Sequence, residues 1–306
     1  MPVDITSNPL PVQRETAPTI ATAPATEPTN EGSARRPVVV IGPSADLSVD
    51  LQALWRDREL LYFLVWRDLK VRYKQTIIGG AWAIIQPLAL MLIFTVVFSY
   101  LVALPSDGLP YPLFAYAALL PWTYVSQAVS RGGLSLVSST HLIGKVYFPR
   151  LLIPAAAILV PLFDFLISLV VLAAMMAWYG VELRPQILVA PVFILQCVVT
   201  AAAVSLWLAA LNAKYRDIGY TIPFMLQCWM YISPIVYPSS LVPERWRLLY
   251  SLNPMVGPID GFRWALLGKE APHVATTALS MIVVVTVLAG GLLYFRSTER
   301  TLADVL

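Results

Sequence analysis

Charged residues are scarce in this chain of 306 residues. Asp, Glu, Lys and Arg together make up 13% of it, whereas hydrophobic residues make up 58%. Soluble domains carry about 25% charged and about 45–50% apolar residues, so the composition predicts that lipid surrounds most of this chain. Its net charge of +3, spread along the sequence, also argues against a nucleic acid as a partner.

Residues that bind metals or act as nucleophiles are few as well. The sequence has two histidines and two cysteines, and both cysteines, Cys197 and Cys228, lie inside apolar segments. We expect neither a disulfide framework nor a metal site, because further ligands are absent around them. Without paired carboxylates or a nucleophile beside a base, we also expect no catalytic residues.

A phosphate-binding loop is missing too. The two Gly-Lys pairs, Gly144–Lys145 and Gly268–Lys269, lack the upstream Gly and the following Ser or Thr that such a loop needs. We therefore expect no cofactor in this chain, and any ATP-derived energy must come from elsewhere.

The first 45 residues form a Pro- and Thr-rich tail. Residues 1–43 hold eight prolines and six threonines and no apolar run long enough for a secretory signal. We expect the tail to be disordered and a membrane domain to follow it over residues 46–306.

Long apolar runs dominate the rest of the sequence. A helix needs ~20 mostly apolar residues to cross ~30 Å of hydrocarbon, where an open backbone finds no partners. The sequence therefore predicts an all-α membrane protein with six transmembrane helices, at about residues 80–104, 111–130, 151–179, 187–212, 220–236 and 274–295. Near these spans thirteen Lys and Arg residues fall on one side and five on the other, which predicts that both termini are cytoplasmic.

Other segments have helical patterns but are not expected to span. Trp55–Lys74 repeats aromatic residues at helical spacing, and this interfacial helix either lies along the membrane surface or packs against the bundle. Arg131–Arg150 is predicted to be a cytoplasmic loop with a short helix of its own. On the outer side, Glu244–Leu252 and Ile259–Leu267 are too short to cross, and we expect two short re-entrant or interfacial helices.

Asp164 is the one carboxylate deep inside a predicted span. It follows Arg150 by 14 residues, or ~21 Å of helix, which places it near mid-bilayer. An ionisable group at that depth marks a transport path or a structural pairing, and the sequence leaves both open. Gln127, Gln196 and Gln227 are candidate partners within the bundle.

Aromatic residues concentrate on the outer half of the spans. They suit interfacial anchoring and packing, and as a group they also suit a wide path along which the C–H-rich faces of sugars can slide. The candidates for such a path are Trp122, Trp229, Tyr231 and Tyr237.

Five stretches carry a family resemblance that covers approximately residues 45–300. They are Leu60–Thr76 with Gly79–Trp82 and Gln86–Pro87, Lys145–Arg150, Tyr215–Asp217, Ser233–Pro238, and Asn253–Met255 with Arg263. In this order, and together with six spans, they resemble the ABC-2 permeases of the polysaccharide export family. That family includes O-antigen or lipopolysaccharide, capsule and teichoic-acid exporters.

The resemblance implies a permease subunit that works as a homodimer with two separate ABC ATPase subunits. The ATPases would bind ATP and Mg, and the two permeases would form a channel in the bacterial inner membrane. The implied substrate is a lipid-linked glycan, O-antigen in the first place, which moves outward from the cytoplasmic side.

The resemblance also implies roles for individual residues. Coupling to the ATPase would fall to Arg131, His141, Lys145, Tyr147 and Arg150. The interfacial helix would gate lipid entry through Trp66, Arg67, Lys70, Arg72, Tyr73 and Lys74, and Asn253 and Arg263 would belong to an outer gate.

Two other functions are alternatives. A permease of the same architecture can export a drug or a small lipid, and glycan binding distinguishes the two cases. A membrane-bound transferase of glycan assembly is the less favoured alternative, because no acidic pair or histidine-based site supports it.

Overall fold

The computed structural model describes residues 55–74, 80–145, 148–268 and 271–299, and the predicted tail lies outside them. Across these ranges every regular element is helical and no strand occurs. A helix satisfies its own backbone polar groups, which lipid cannot do. The predicted all-α class is confirmed.

Ten α-helices succeed one another in the described ranges. They are α1 (Arg58–Lys74), α2 (Ala81–Phe94), α3 (Tyr111–Ser138), α4 (Thr140–Ile143), α5 (Leu152–Trp178), α6 (Ala190–Lys214), α7 (Asp217–Ile232), α8 (Glu244–Tyr250), α9 (Val256–Leu267) and α10 (Val274–Glu299). A π-helical segment, Thr95–Leu101, continues α2. A 3₁₀ turn, Pro185–Val189, leads into α6, and another, Ser239–Leu241, precedes α8.

Four helices are long and apolar enough to cross a membrane. They are Ala81–Leu101, Leu152–Trp178, Pro185–Lys214 and Val274–Glu299, each of 21 to 30 residues. They coincide with the first, third, fourth and sixth predicted spans.

The second predicted span, α3, is the helix around which the others pack. Of its 28 residues, 19 are buried by protein. Its tyrosines, tryptophan and prolines make it less apolar than the four helices above, and other helices rather than lipid surround most of it. Hydrogen bonds from the hydroxyl groups of Tyr116 and Tyr124 reach the carbonyls of Ser168 and Ile158 on α5, both at 3.4 Å, so α3 and α5 run antiparallel.

The predicted loop Arg131–Arg150 begins later than expected, because α3 continues to Ser138. Gly132 and Gly133 do not end the helix; they let α6 approach it closely. A Cβ atom on Gly132 would lie 2.5 Å from the Ser205 hydroxyl oxygen. The loop therefore consists of residues 139–151 around the short helix α4.

The fifth predicted span corresponds to α7, which has 16 residues, or ~24 Å at 1.5 Å per residue. It ends at Ile232 because Pro234 follows and has no amide hydrogen to continue the helix. After α7 come α8 and α9, of 7 and 12 residues, close to the predicted pair of short helices.

Helix α1 packs against the bundle, which is the second of the two arrangements predicted for it. Leu64, Val65 and Leu69 are buried against residues of α5, namely Leu152, Ala156 and Val160. Its opposite face is aromatic and exposed: Tyr62 is 69% and Trp66 47% exposed.

Gly261 provides a test of the contact between α9 and α6. A Cβ atom there would lie 2.0 Å from the Phe193 ring, so we expect Gly261→Ala to destabilise the protein by about 1–3 kcal/mol. Thermal unfolding of the purified protein in detergent measures this. Gly144→Ala is the matched control, since the nearest atom to its Cβ is at 3.7 Å. Equal unfolding midpoints for the two variants would contradict this packing.

Candidate functional site

A buried polar cluster joins three helices in the middle of the bundle. The Tyr73 hydroxyl donates to one carboxylate oxygen of Asp164, and the Arg72 guanidinium forms an ion pair with the other. Arg72 also donates through Nη2 to Gln127 Oε1 at 3.2 Å. We call Arg72, Tyr73, Gln127 and Asp164 the inner cluster; it connects the end of α1 to α3 and to the midpoint of α5.

The inner cluster explains how a carboxylate is held inside α5. Only 8% of the Asp164 side chain and 22% of the Arg72 side chain are exposed, and a buried charge without a partner is strongly destabilising. Burial, together with the hydrogen bond to Asp164, raises the pKa of Tyr73 to about 12, so its hydroxyl remains a proton donor. Both predicted roles of Asp164 remain compatible with this pairing.

The partners of Asp164 differ from the glutamines considered from the sequence. Gln127 takes part through Arg72, whereas Gln227 is exposed and Gln196 is buried elsewhere. The sequence predicts Arg72 and Tyr73 as part of a gate but does not indicate their contact with Asp164. They lie about 90 residues from it in sequence, and no local pattern indicates such a pair.

The other predicted residues of the inner gate lie on the exposed face of α1. The Trp66 ring stacks on Tyr62 with centroids 6.4 Å apart, and Lys70 Nζ lies 5.3 Å from the Trp66 centroid. Arg67 forms an ion pair with Asp68 at 2.8 Å. Lys74, the last residue of α1, is exposed. This face combines aromatic rings with positive charge, a composition that favours the membrane interface.

A cavity of about 250 Å³ opens between α1, α3, α4 and α5. Its polar lining consists of Arg67, Asp68, Arg131, Ser135, Ser138 and Ser139. Arginines and serine hydroxyls together can donate hydrogen bonds to an anionic oxygen-rich group such as a phosphate. We call it the inner cavity.

The predicted coupling residues are spread along the same end of the bundle. Arg131 lines the inner cavity, and His141 and Lys145 are exposed at α4 and just after it. Tyr147 lies outside the described residues. Arg150 donates through Nη1 to the backbone carbonyl of Glu299 at 2.7 Å, which ties the end of this loop to the end of α10.

At the opposite end, residues predicted for the path and for the outer gate form one network. The Trp122 and Trp229 rings meet edge to face at 5.6 Å. Trp229 Nε1 donates to Asn253 Oδ1 at 2.8 Å, and Asn253 Nδ2 donates to Ser233 Oγ at 3.1 Å. Trp122 is 4% exposed, so it packs inside this chain. Trp229, which it contacts, lies between Trp122 and the surface of the bundle.

The two remaining path residues lie beside this network. Tyr231 is 54% exposed on α7, and the Tyr237 hydroxyl donates to the Tyr231 carbonyl at 3.3 Å. Tyr250 donates to the Tyr237 hydroxyl at 3.2 Å. The tyrosines therefore link the end of α7 to α8.

Arg263 fastens the chain that follows α7. Its Nη2 donates to the Ile235 carbonyl at 2.8 Å and its Nε to the Phe114 carbonyl at 3.3 Å, while its guanidinium lies 3.6 Å from the Phe114 ring centroid. The Asp260 carboxylate is 3.9 Å away. Burial lowers the pKa of Arg263 to about 10 and raises that of Asp260 to about 6.

Metal chemistry finds no support among the described residues. Nowhere in residues 55–74, 80–145, 148–268 and 271–299 do three or more His, Cys, Asp or Glu side chains come together in a group that could hold an ion.

Comparison with known proteins places these features among transporters. The family model described as ABC-2 type transporter matches residues 59–267. The O-antigen export system permease protein RfbA of Myxococcus xanthus is 27% identical over 241 residues, which are 76% of this chain and 92% of that relative. A Klebsiella pneumoniae protein of the same name is 25% identical over 81% of this chain and 95% of its own. The polysialic acid transport protein KpsM of Escherichia coli is 23% identical over 78% and 93%.

Asp164→Asn tests the inner cluster. The substitution removes the negative charge that pairs with Arg72, and we expect it to lower the free energy of unfolding by about 3 kcal/mol. Combining it with Arg72→Gln should cost less than the sum of the two single substitutions by at least about 1 kcal/mol. Unfolding of the purified protein in detergent measures all three variants.

Asp68→Asn is the control for this cycle. Its ion pair with Arg67 is exposed, with 34% and 44% of the two side chains accessible, so we expect a change within about 1 kcal/mol. Strictly additive effects of Asp164→Asn and Arg72→Gln would show that the two side chains do not interact.

Proposed function

The chain belongs to the ABC-2 type transporter family, and on that premise we propose that it is the membrane-spanning permease of an ATP-driven polysaccharide exporter. The observation that carries the proposal is similarity over about three quarters or more of the chain to relatives named for O-antigen export and polysialic acid transport. The family expected from the sequence motifs is thereby confirmed. The glycan that we propose first is O-antigen. A capsule polysaccharide or teichoic acid is the alternative.

The chain is a transport subunit rather than an enzyme, as its relatives are named permeases and transport proteins. ATP and Mg²⁺ bind to a separate ATPase subunit, present in two copies. Export of a drug or a small lipid is not favoured, because the near full-length relatives above carry the names of glycan exporters.

The permease crosses the bacterial inner membrane six times, with both termini in the cytoplasm. Helices α3 and α7 supply the two spans beyond the four most apolar helices, and α8 and α9 re-enter from the outer side. Two copies enclose the channel. Support comes from the apolar and aromatic surfaces that α2 and α7 leave exposed, which include Trp82, Leu92, Tyr220 and Phe224.

The lipid-linked glycan enters beside α1. The exposed aromatic and basic face of α1 borders the headgroup region, and the inner cavity next to it offers Arg67, Arg131 and serine hydroxyls to an anionic group. The inner cluster holds the end of α1 in place while the substrate passes.

The glycan leaves along the aromatic residues near α7. Trp229, Tyr231 and Tyr237 present ring faces to the sugar chain, and Asn253 and Arg263 hold the outer helices against the end of α7. Because Trp122 is buried, its contribution is to support the Trp229 ring.

The ATPase acts on the segment around α4. His141 and Lys145 are accessible to a partner there. From this segment Arg150 transmits movement to α10 through its hydrogen bond with the Glu299 carbonyl.

Removal of this chain from its native cells tests the function directly. We expect polysaccharide to disappear from the cell surface and to accumulate inside, because synthesis continues without export. Antibody or lectin labelling of intact and of permeabilised cells separates the two locations. Normal surface glycan together with a gain in drug sensitivity would instead support the small-molecule exporter.

Arg150→Glu tests the coupling role. The substitution removes the donor to the Glu299 carbonyl and reverses the charge facing the ATPase, so we expect surface glycan to fall about tenfold or more while the permease and the ATPase still copurify. Arg56→Glu is the matched control, since 79% of the Arg56 side chain is exposed and its neighbour contact is worth little. Wild-type export by Arg150→Glu would rule out this role.

A further inference from the structure

A second cavity, of about 120 Å³, lies where the outer connections of the bundle meet. Side chains from eight segments line it: the loop before α3, α3 itself, the α7–α8 connection, α8, the α8–α9 connection, α9, the α9–α10 connection and α10. They include the polar and aromatic side chains of Asp107, Ser240, Arg247, Tyr250, Asp260 and Trp264. We call it the outer cavity. Arg263, expected in the outer gate, also lines this cavity, whereas the other residues expected for the path, the gates and the coupling do not.

Charges of both signs face the outer cavity, and each has a partner nearby. Ser240 Oγ donates to Asp107 Oδ1 at 3.1 Å. The Arg247 guanidinium contacts His273 Nε2 at 3.1 Å and donates to the Val242 carbonyl at 3.2 Å. The carboxylates of Asp107 and Asp260 would repel an anionic ligand, and the two arginines would repel a cationic one. The lining is therefore suited to a neutral group.

A neutral ligand would have to exchange hydrogen bonds in both directions. Carboxylates only accept hydrogen bonds and guanidinium groups only donate them, whereas each hydroxyl does both. A polyhydroxylated ring is the neutral ligand that satisfies such a mixed lining.

Aromatic rings line the cavity beside these polar groups. Phe114, Tyr250 and Trp264 all line it, and aromatic rings can pack against the C–H face of a sugar. The volume of 120 Å³ is roughly eight times the ~15 Å³ that admits one water molecule. A single ring with its ordered waters fits this space, and a folded stretch of chain does not.

We propose that the outer cavity binds one neutral sugar ring of the exported polysaccharide at the outer end of the bundle. Asp107 and Asp260 accept hydrogen bonds from the sugar hydroxyls, Arg247 donates to them, and Trp264 packs against the ring. The choice of a sugar from the exported chain rests on the proposed function. The position also agrees with it, because Tyr250 donates to the path residue Tyr237 at 3.2 Å.

Binding of methyl glycosides to the purified full-length chain in lipid nanodiscs tests the proposal. The probes are the methyl glycosides of glucose, galactose, mannose and rhamnose, with methyl glucuronide as the anionic comparison, and saturation-transfer NMR measures the dissociation constants. We expect at least one neutral glycoside to bind in the millimolar range, tighter than methyl glucuronide. Asp107→Asn should weaken that binding about tenfold, as for the loss of a hydrogen bond to a charged acceptor.

Glu182→Gln is the matched control, because Glu182 is an exposed acid in the α5–α6 connection and does not line the outer cavity. Its dissociation constants should equal those of the unaltered chain. Thermal unfolding midpoints of both variants establish that they are folded.

Trp264→Phe, which keeps an aromatic ring, provides a second cavity variant should Asp107→Asn unfold. Trp264→Phe should weaken glycoside binding at least threefold.

Three results would overturn the inference: no binding of any neutral glycoside, binding that neither cavity variant weakens, or a preference for methyl glucuronide. Surface labelling of complemented cells keeps this apart from the proposed function. If the chain restores surface glycan but binds no glycoside, the outer cavity is not a sugar site and the exporter stands. If glycosides bind through Asp107 and no glycan is exported, the exporter is wrong and the sugar site remains.

Discussion

The ion pair between Asp164 and Arg72 is the constraint on which the placement of α1 against the bundle depends. A carboxylate in the middle of an apolar helix is tolerated only when charge and hydrogen-bond partners reach it. Both partners come from the last turn of α1. This helix must therefore pack along α5 for them to reach Asp164. The buried leucines of α1 lie on the same side as Arg72 and Tyr73. Packing and electrostatics therefore select one orientation of the helix, and the aromatic, basic face is the one left exposed.

A second arginine has the corresponding task at the other end. Where α7 stops at Ile232, the carbonyls that follow have no helical partners. Arg263 supplies hydrogen bonds to Ile235 and Phe114, and Asn253 supplies them to Ser233 and accepts one from Trp229. The short helices α8 and α9 are thereby fixed to α3 and α7. Between the two arginines, α3 is buried over most of its length. A substitution at either arginine would therefore alter the packing of the same helix.

The sequence predicted the all-helical class and located, to within a few residues, the four helices that are long and apolar enough to cross a membrane, because long uninterrupted apolar runs have few alternatives. It did not indicate that the helix continues past the predicted span to Ser138, because the contact of Gly132 and Gly133 with α6 is a tertiary feature. Residue types such as Asp164, Asn253 and Arg263 stood out individually. Their hydrogen-bond partners Tyr73, Trp229 and Ile235 did not, because each of these bonds joins residues more than 20 positions apart. The outer cavity is the extreme case, as eight separate segments must meet before its lining exists.

The central proposal for this chain is that it provides the passage and a separate ATPase provides the energy for outward movement of a glycan. Reconstitution in proteoliposomes measures it most directly, with purified permease, its ATPase and a lipid-linked polysaccharide whose accessibility is followed by an added glycosidase. The predicted result is ATP-dependent movement of the glycan to the far leaflet that requires both proteins. Movement without the ATPase, or chemical alteration of the glycan by the permease alone, would contradict a role as an ATPase-driven permease.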